Sequence, residues 1–121
     1  MGDHTILIVD DEPHILRQLA FVLGREFEVR SAVDGVEALE YMRADRPAVV
    51  LLDVMMPKKN GYEVCQEIKA DPTLSDIHVV LLTAKGQEAD REKGFAMGAD
   101  EFIVKPFSPA EIVSRMKQLL G

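Results

Sequence analysis

Four short apolar runs in this chain each end in a polar residue. Ile6-Leu7-Ile8-Val9 runs into Asp10 and Asp11, and Val49-Val50-Leu51-Leu52 runs into Asp53. Val79-Val80-Leu81-Leu82 ends at Thr83, and Phe102-Ile103-Val104 ends at Lys105. Continuous apolar runs of this kind suit strands covered on both faces, as in a parallel sheet. The pattern predicts strands at roughly 5–10, 28–32, 48–53, 77–83 and 101–105, alternating with helix-like segments. Single helices between strands imply right-handed crossovers and a three-layer α/β/α sandwich. Ligands of such sheets bind beyond the carboxyl ends of the strands, where Asp10, Asp11, Asp53, Thr83 and Lys105 would gather.

The intervening segments carry their own punctuation. Pro13 suits a first helical position, Ile15, Leu16, Leu19, Val22 and Leu23 fall on one helical face, and Gly24 marks its end. A second helix follows Gly35 with Val36, Leu39 and Met42, and a third follows Gly61 with Val64, Cys65 and Ile68. Ser108-Pro109-Ala110-Glu111 reads as a capping box opening a last helix that packs through Ile112, Val113, Met116 and Leu119. The segment from Gln87 to Met97 has few large apolar residues beyond Phe95 and Met97, so the fourth helix is expected to be the most loosely held.

A length of 121 residues fits one domain, here expected to span 1–121. The net charge of -7 argues against a phosphate-neutralising surface, so direct nucleic-acid binding is not expected of this domain. No apolar run approaches membrane-spanning length, and the N-terminus carries neither a basic region nor an apolar signal core, so a cytoplasmic protein without membrane attachment is expected. The single cysteine, Cys65, excludes an internal disulfide and a multi-cysteine zinc site, and reads as a buried, inert thiol. His4, His14 and His78 have no shared ligand spacing and read as structural or exposed, with His14 the one nearest the acidic pocket.

Asp10, Asp11, Asp53 and Lys105 sum to a charge of -2, which a divalent cation would offset. Oxygen donors without His or Cys favour Mg²⁺ or a similar ion, which keeps open positions for water or phosphoryl oxygens. A carboxylate in that setting can attack phosphorus and form an aspartyl phosphate, with Lys105 and the Thr83 hydroxyl facing the transferring oxygens. Strand-end carboxylates also serve as helix caps, and Asp11, just ahead of Glu12-Pro13, has that alternative open to it. Asp53 has no comparable structural reason to be there.

The order and spacing of Asp10-Asp11, Asp53-Val54-Met55-Met56-Pro57 with Gly61, Thr83-Ala84 and Lys105-Pro106 resemble response-regulator receiver domains over essentially the whole chain. The resemblance implies a flavodoxin-like fold with sheet order 2-1-3-4-5 and a role in two-component signalling. It implies that Asp53 accepts a phosphoryl group from a phosphohistidine on a sensor histidine kinase or histidine phosphotransfer protein. By the same resemblance, Asp11, Asp53 and the Met55 carbonyl ligate Mg²⁺, Asp10 acts through water, and a cis peptide before Pro106 aims Lys105 inward. Thr83 and Phe102 would form the switch, Phe102 through packing because it lacks the hydroxyl of the tyrosine common there. Met55 and Lys85 would flank the path of attacking water and so set phosphoryl lifetime.

The last third, from Gly94 to Phe107, looks like receivers that precede winged-helix DNA-binding domains. There the face of the fourth and fifth helices pairs two copies, and Arg91, Glu101, Glu111 and Arg115 fall where reciprocal ion pairs form in a two-fold dimer. Two alternatives remain open at this stage: a receiver that only docks a partner, and a phosphatase with an aspartyl-phosphate intermediate. The phosphatase reading lacks the acid/base carboxylate two residues after its nucleophile, where Met55 stands. No glycine-rich phosphate loop follows any strand, which disfavours a nucleotide-binding enzyme.

Overall fold

The computed structural model describes residues 5–56, 59–84 and 91–120. Strands β1 (Thr5–Val9), β2 (Glu28–Ala32), β3 (Val49–Asp53), β4 (His78–Ala84) and β5 (Glu101–Lys105) alternate with helices α1 (Pro13–Leu23), α2 (Gly35–Ala44), α3 (Gly61–Ala70), α4 (Arg91–Ala96) and α5 (Pro109–Leu120). All pairings are parallel and the sheet order is β2-β1-β3-β4-β5. This is the three-layer sandwich the strand pattern predicts, with the flavodoxin-like sheet order that the resemblance implies.

β1 and β3 are buried throughout, and β4 is buried apart from its two end residues. Edge strand β2 reads Glu-Val-Arg-Ser-Ala and leaves Glu28, Arg30 and Ser31 exposed, because an edge is covered less completely than the centre. β5, the other edge, is half-buried along its length.

Because side chains alternate across a strand, the sheet divides the interior into two cores. One face carries Ile6, Ile8, Val49, Leu51, Val80 and Leu82 against Leu19, Leu23, Ile112 and Met116 of α1 and α5. The other carries Leu7, Val9, Val50, Leu52, Val79 and Leu81 against Ala38, Leu39, Met42, Val64, Cys65 and Ile68 of α2 and α3, with Met97 and Phe102 packed onto it.

The helix ends follow local chemistry. Pro13 opens α1, and the Gly24 amide closes it on the Ala20 carbonyl at 2.9 Å. Asp34 caps α2 by accepting the Glu37 amide at 2.8 Å, and Asn60 with Glu63 forms a reciprocal capping box on α3. At α5 the Ser108 hydroxyl accepts the Ala110 amide at 3.2 Å, while the Glu111 amide goes to the Ser108 carbonyl. Val36 departs from the expected core face of α2: it is 43% exposed, and Ala38 lies inward beside Leu39 and Met42.

α4 is six residues long as described; Gly94 is its buried residue, whereas Phe95 is half exposed. Gln87 to Asp90, expected in the same helix, lie outside the described residues, as do His4 and Lys85. Among the described residues no helix is long and apolar enough to cross a membrane.

Candidate phosphoacceptor site

Parallel register assembles the site from residues far apart in sequence. Val9 pairs with Leu52, so Asp10 and Asp53 are the next residues along adjacent strands. Asp53 pairs with Leu82, which pairs with Ile103, and Lys105 lies two residues further along β5 on the same face. Asp10, Asp53 and Lys105 therefore share the α1/α5 side of the sheet. Thr83 and Phe102, one residue out of phase, share the α3/α4 side.

Side-chain geometry closes the cluster. The Lys105 Nζ lies 3.1 Å from Asp10 Oδ2 and 3.3 Å from Asp53 Oδ1. Asp10 is fully buried, and its Oδ1 accepts the Glu12 amide at 3.0 Å. Asp53 is also buried, and its Oδ1 accepts the Met55 amide at 3.3 Å. Asp11 is exposed at the rim, and one carboxylate oxygen from each of Asp10, Asp11 and Asp53 fits within a mutual separation of 4.8 Å. Thr83 is buried at the end of β4, and the Lys105–Pro106 peptide is cis.

Capping and metal binding were expected to compete for Asp11. The competition falls on its neighbour: Glu12 is the N-cap residue of α1 and makes no side-chain capping bond, while Asp10 takes the Glu12 amide. Asp11 is left exposed toward the pocket mouth.

The electrostatics match this arrangement. Burial, reinforced by the neighbouring Asp10 carboxylate, pushes the Asp53 carboxyl from 3.8 up to about 6, against the opposing pull of Lys105 and the Met55 amide. Burial alone would lower the Lys105 ammonium, but the Asp53 and Asp10 carboxylates outweigh it and hold the lysine above its usual range. One ammonium thus serves two buried carboxylates, and a third carboxylate waits at the rim. A hard divalent cation fits this all-oxygen donor set, because it supplies the charge the lysine lacks.

The response regulator receiver domain family model matches residues 6–117. This chain belongs to the response regulator receiver family. The chain is 49% identical over 116 residues to a Cyanophora paradoxa protein named Probable transcriptional regulator ycf27, covering 95% of this chain and 47% of that protein. It is 46% identical over 118 residues to the transcriptional regulatory protein SrrA of Staphylococcus aureus, covering 97% of the chain and 48% of SrrA. The chain spans about half the length of the curated relatives it matches. In structure it is similar to the signal receiver domain of a Syntrophus aciditrophicus signal transduction histidine kinase, with a TM-score of 0.89, 34% identity, and coverage of 97% of this chain and 89% of that one. The receiver is thus a signalling module of two-component systems.

The remaining predicted residues scatter around this receiver's site. Met55 is 61% exposed beside the pocket. Phe102 stacks edge-on against Phe95 at 4.9 Å between ring centres, and its ring occupies the space a side chain at Gly94 would need. Glu101 and Arg115 pair within the chain: the Arg115 Nε donates to Glu101 Oε1 at 2.5 Å, and His78 Nε2 lies 2.6 Å from Glu101 Oε2. Glu111 is exposed on α5, and Arg91 opens α4. His14 is exposed on the rim of a cavity of about 440 Å³ shared with Lys105 and Phe107. Cys65 is buried, its thiol contacts the Met97 carbonyl at 3.7 Å, and burial pushes its pKa to about 11.

Sequence reasoning missed two features. One is the pairing of His78 with Glu101: His78 starts β4 two residues before Val80, the register partner of Glu101, so only the β4–β5 register brings the two side chains together. The other is Gly61, which touches the Asp53 backbone. A Cβ there would lie 2.6 Å from the Asp53 carbonyl oxygen and 2.8 Å from the Val54 Cα.

Proposed function

We propose that this receiver takes a phosphoryl group onto Asp53 from a phosphohistidine on a sensor histidine kinase or histidine phosphotransfer protein. An Asp53 carboxylate oxygen forms the new bond to phosphorus as the bond from phosphorus to the imidazole nitrogen breaks, and because the ring's other nitrogen carries a proton the donor is left as neutral histidine. The observation that carries this reading is the Lys105 ammonium held within 3.3 Å of both Asp10 and Asp53, where it can follow the charge from carboxylate to phosphoryl oxygen.

Asp10, Asp11, Asp53 and the Met55 carbonyl are the residues that would hold Mg²⁺. When bound, the ion offsets charge on the transferring oxygens. The buried Asp10 fixes Lys105, the exposed Asp11 meets arriving ligands, and the Met55 amide orients the Asp53 carboxylate.

Thr83 and Phe102 form the switch. They lie on the sheet face opposite Asp53, so a hydroxyl drawn toward the phosphoryl group would vacate space on the α4 side. Phe102, bounded by Gly94 and Phe95, is placed to respond through packing.

Output passes through the surface of α4, β5 and α5. Two receivers would pair there through Arg91, Glu101, Glu111 and Arg115. Because Glu101 and Arg115 already satisfy each other, pairing requires exchange of an internal ion pair for one between copies. With a net charge of -7, the domain leaves any nucleic-acid contact to a separate output segment and acts in the cytoplasm where its phosphodonors work.

Intact mass after incubation with acetyl phosphate and Mg²⁺, comparing wild type with Asp53→Asn, tests this reading. One added phosphoryl group on the wild type alone supports it. No addition favours a docking module that needs no phosphorylation, and addition to both proteins means a different acceptor.

A further inference from the structure

α4 is short, yet it is tied to α3 at two places. At one, the Lys93 ammonium stands 5.1 Å from the centre of the Tyr62 ring. Tyr62 directly follows Gly61, the residue in contact with the Asp53 backbone.

At the other, beyond the C-terminal end of α4, Lys69 of α3 uses its ammonium three times. It donates to the Ser75 carbonyl at 3.0 Å and the Ile77 carbonyl at 2.8 Å, and pairs with Asp100 Oδ2 at 3.0 Å. Asp100 Oδ2 also accepts the Val79 amide at 2.8 Å, which fixes the carboxylate to β4.

The stem of Lys69 has a separate use. Gly98 ends α4 with φ +103°, and a Cβ there would lie 2.6 Å from the Lys69 Cγ. The lysine thus fills the space under the turn that carries the chain from α4 into β5.

We propose that Lys69 and Lys93 pin α4 to α3 and so oppose movement of α4 into the space that the Thr83–Phe102 switch would vacate; this rests on the reading of Asp53 given above. α3 cannot follow α4 freely, because Val64, Cys65 and Ile68 are buried under it and the Gly61 amide is bonded to the Val54 carbonyl at 3.0 Å. A shift of α4 along or away from α3 therefore breaks the Lys93–Tyr62 contact and strains the turn seated on Lys69. Contacts made only in the resting arrangement weigh against the switched one, and by linkage they weaken binding of whatever selects the switched one.

The test is calorimetric titration of the protein with beryllium fluoride in the presence of Mg²⁺, a phosphoryl mimic, for wild type, Lys93→Met and Lys69→Met. Methionine keeps an unbranched apolar stem and removes the ammonium. Lys93→Met is expected to bind the mimic about two- to fivefold more tightly, the range expected for loss of one exposed cation–π contact. Lys69→Met is expected to tighten binding further and to speed amide exchange at Gly98, Ala99 and Asp100.

Equal or weaker binding by the folded variants overturns the proposal. Lys93 is exposed and its variant is expected to retain the fold, so it decides the matter alone if Lys69→Met is unstable. Absence of binding by wild type overturns the reading of Asp53 instead, and the pinning role with it.

Discussion

Gly61 lies against the backbone of Asp53 so closely that no other residue fits without displacing one of them. The nearest atoms to a Cβ at Gly61 would be the Asp53 carbonyl oxygen at 2.6 Å and the Val54 Cα at 2.8 Å, both backbone and neither able to swing aside. The start of α3 thereby sets the position of the loop that follows Asp53.

Gly61→Ala is expected to destabilise the fold by about 1–3 kcal/mol through overpacking. It should also slow phosphorylation by acetyl phosphate, because the loop bearing the Met55 amide moves with Asp53. Urea denaturation and intact-mass kinetics on the same preparation check both parts; a variant with wild-type stability and rate would refute the contact's importance.

The contribution of Asp53 to the stability of the metal-free protein should fall as pH rises from about 4 to about 6. The Asp53 carboxyl is raised from 3.8 to about 6 in the fold, so the folded state holds its proton more tightly than the unfolded chain does. Stabilisation of the protonated form is present below the unfolded value and is lost as pH rises through the folded one. Asp53→Asn should remove this loss and stabilise the metal-free protein at pH 7 by about 1–3 kcal/mol. Thermal melting at pH 4 and pH 7 without Mg²⁺ tests it, and a variant no more stable than wild type at pH 7 would contradict it.

Glu101 gives the opposite dependence. Burial raises its pKa, but hydrogen bonds from Arg115 and His78 prevail and hold the carboxyl below its usual range. Its contribution is present above the unfolded value and is lost as pH falls through the folded one. Glu101→Gln should cost about 0.5–1.5 kcal/mol at neutral pH, with the difference from wild type shrinking in acid. Denaturation at pH 7 and pH 3.5 measures this; a gap that widens in acid would count against it.

Gly94→Ala should move the Phe102 ring without unfolding the protein. The new methyl would lie 2.2 Å from the Phe102 Cζ, and an aromatic ring at a half-buried edge strand can turn away where backbone cannot. A cost of about 1 kcal/mol is expected, together with altered affinity for beryllium fluoride and Mg²⁺. Ring-proton shifts of Phe102 and Phe95 would report the movement; unchanged shifts would show that the ring does not yield.

The strand runs carried most of this in the sequence. The strands expected at 5–10, 48–53, 77–83 and 101–105 each end within one residue of their structural boundary, and Asp10, Asp53, Thr83 and Lys105 lie at the carboxyl end of the sheet because parallel register leaves no other place. The pairing of Glu101 with His78 was hidden because it depends on the register of β5 against β4, which sets Glu101 beside Val80 and within reach of His78, a relation that strand periodicity does not encode. Val36 was misplaced for a related reason: with Gly35 opening α2 against Val64, the inward face falls on Ala38, Leu39 and Met42.

The division of the interior by the sheet has a consequence for how such a chain can change over generations. Ile8 and Met116 belong to one core, Leu7 and Ile68 to the other, and the β-strand backbone stands between them. A substitution that reshapes the core under α1 and α5 need not be answered by repacking under α2 and α3. The layer on the Asp53 side of the sheet and the layer that holds α4 can therefore drift at separate rates. Two lineages could keep one face of the sheet while the other face diverges, or the reverse.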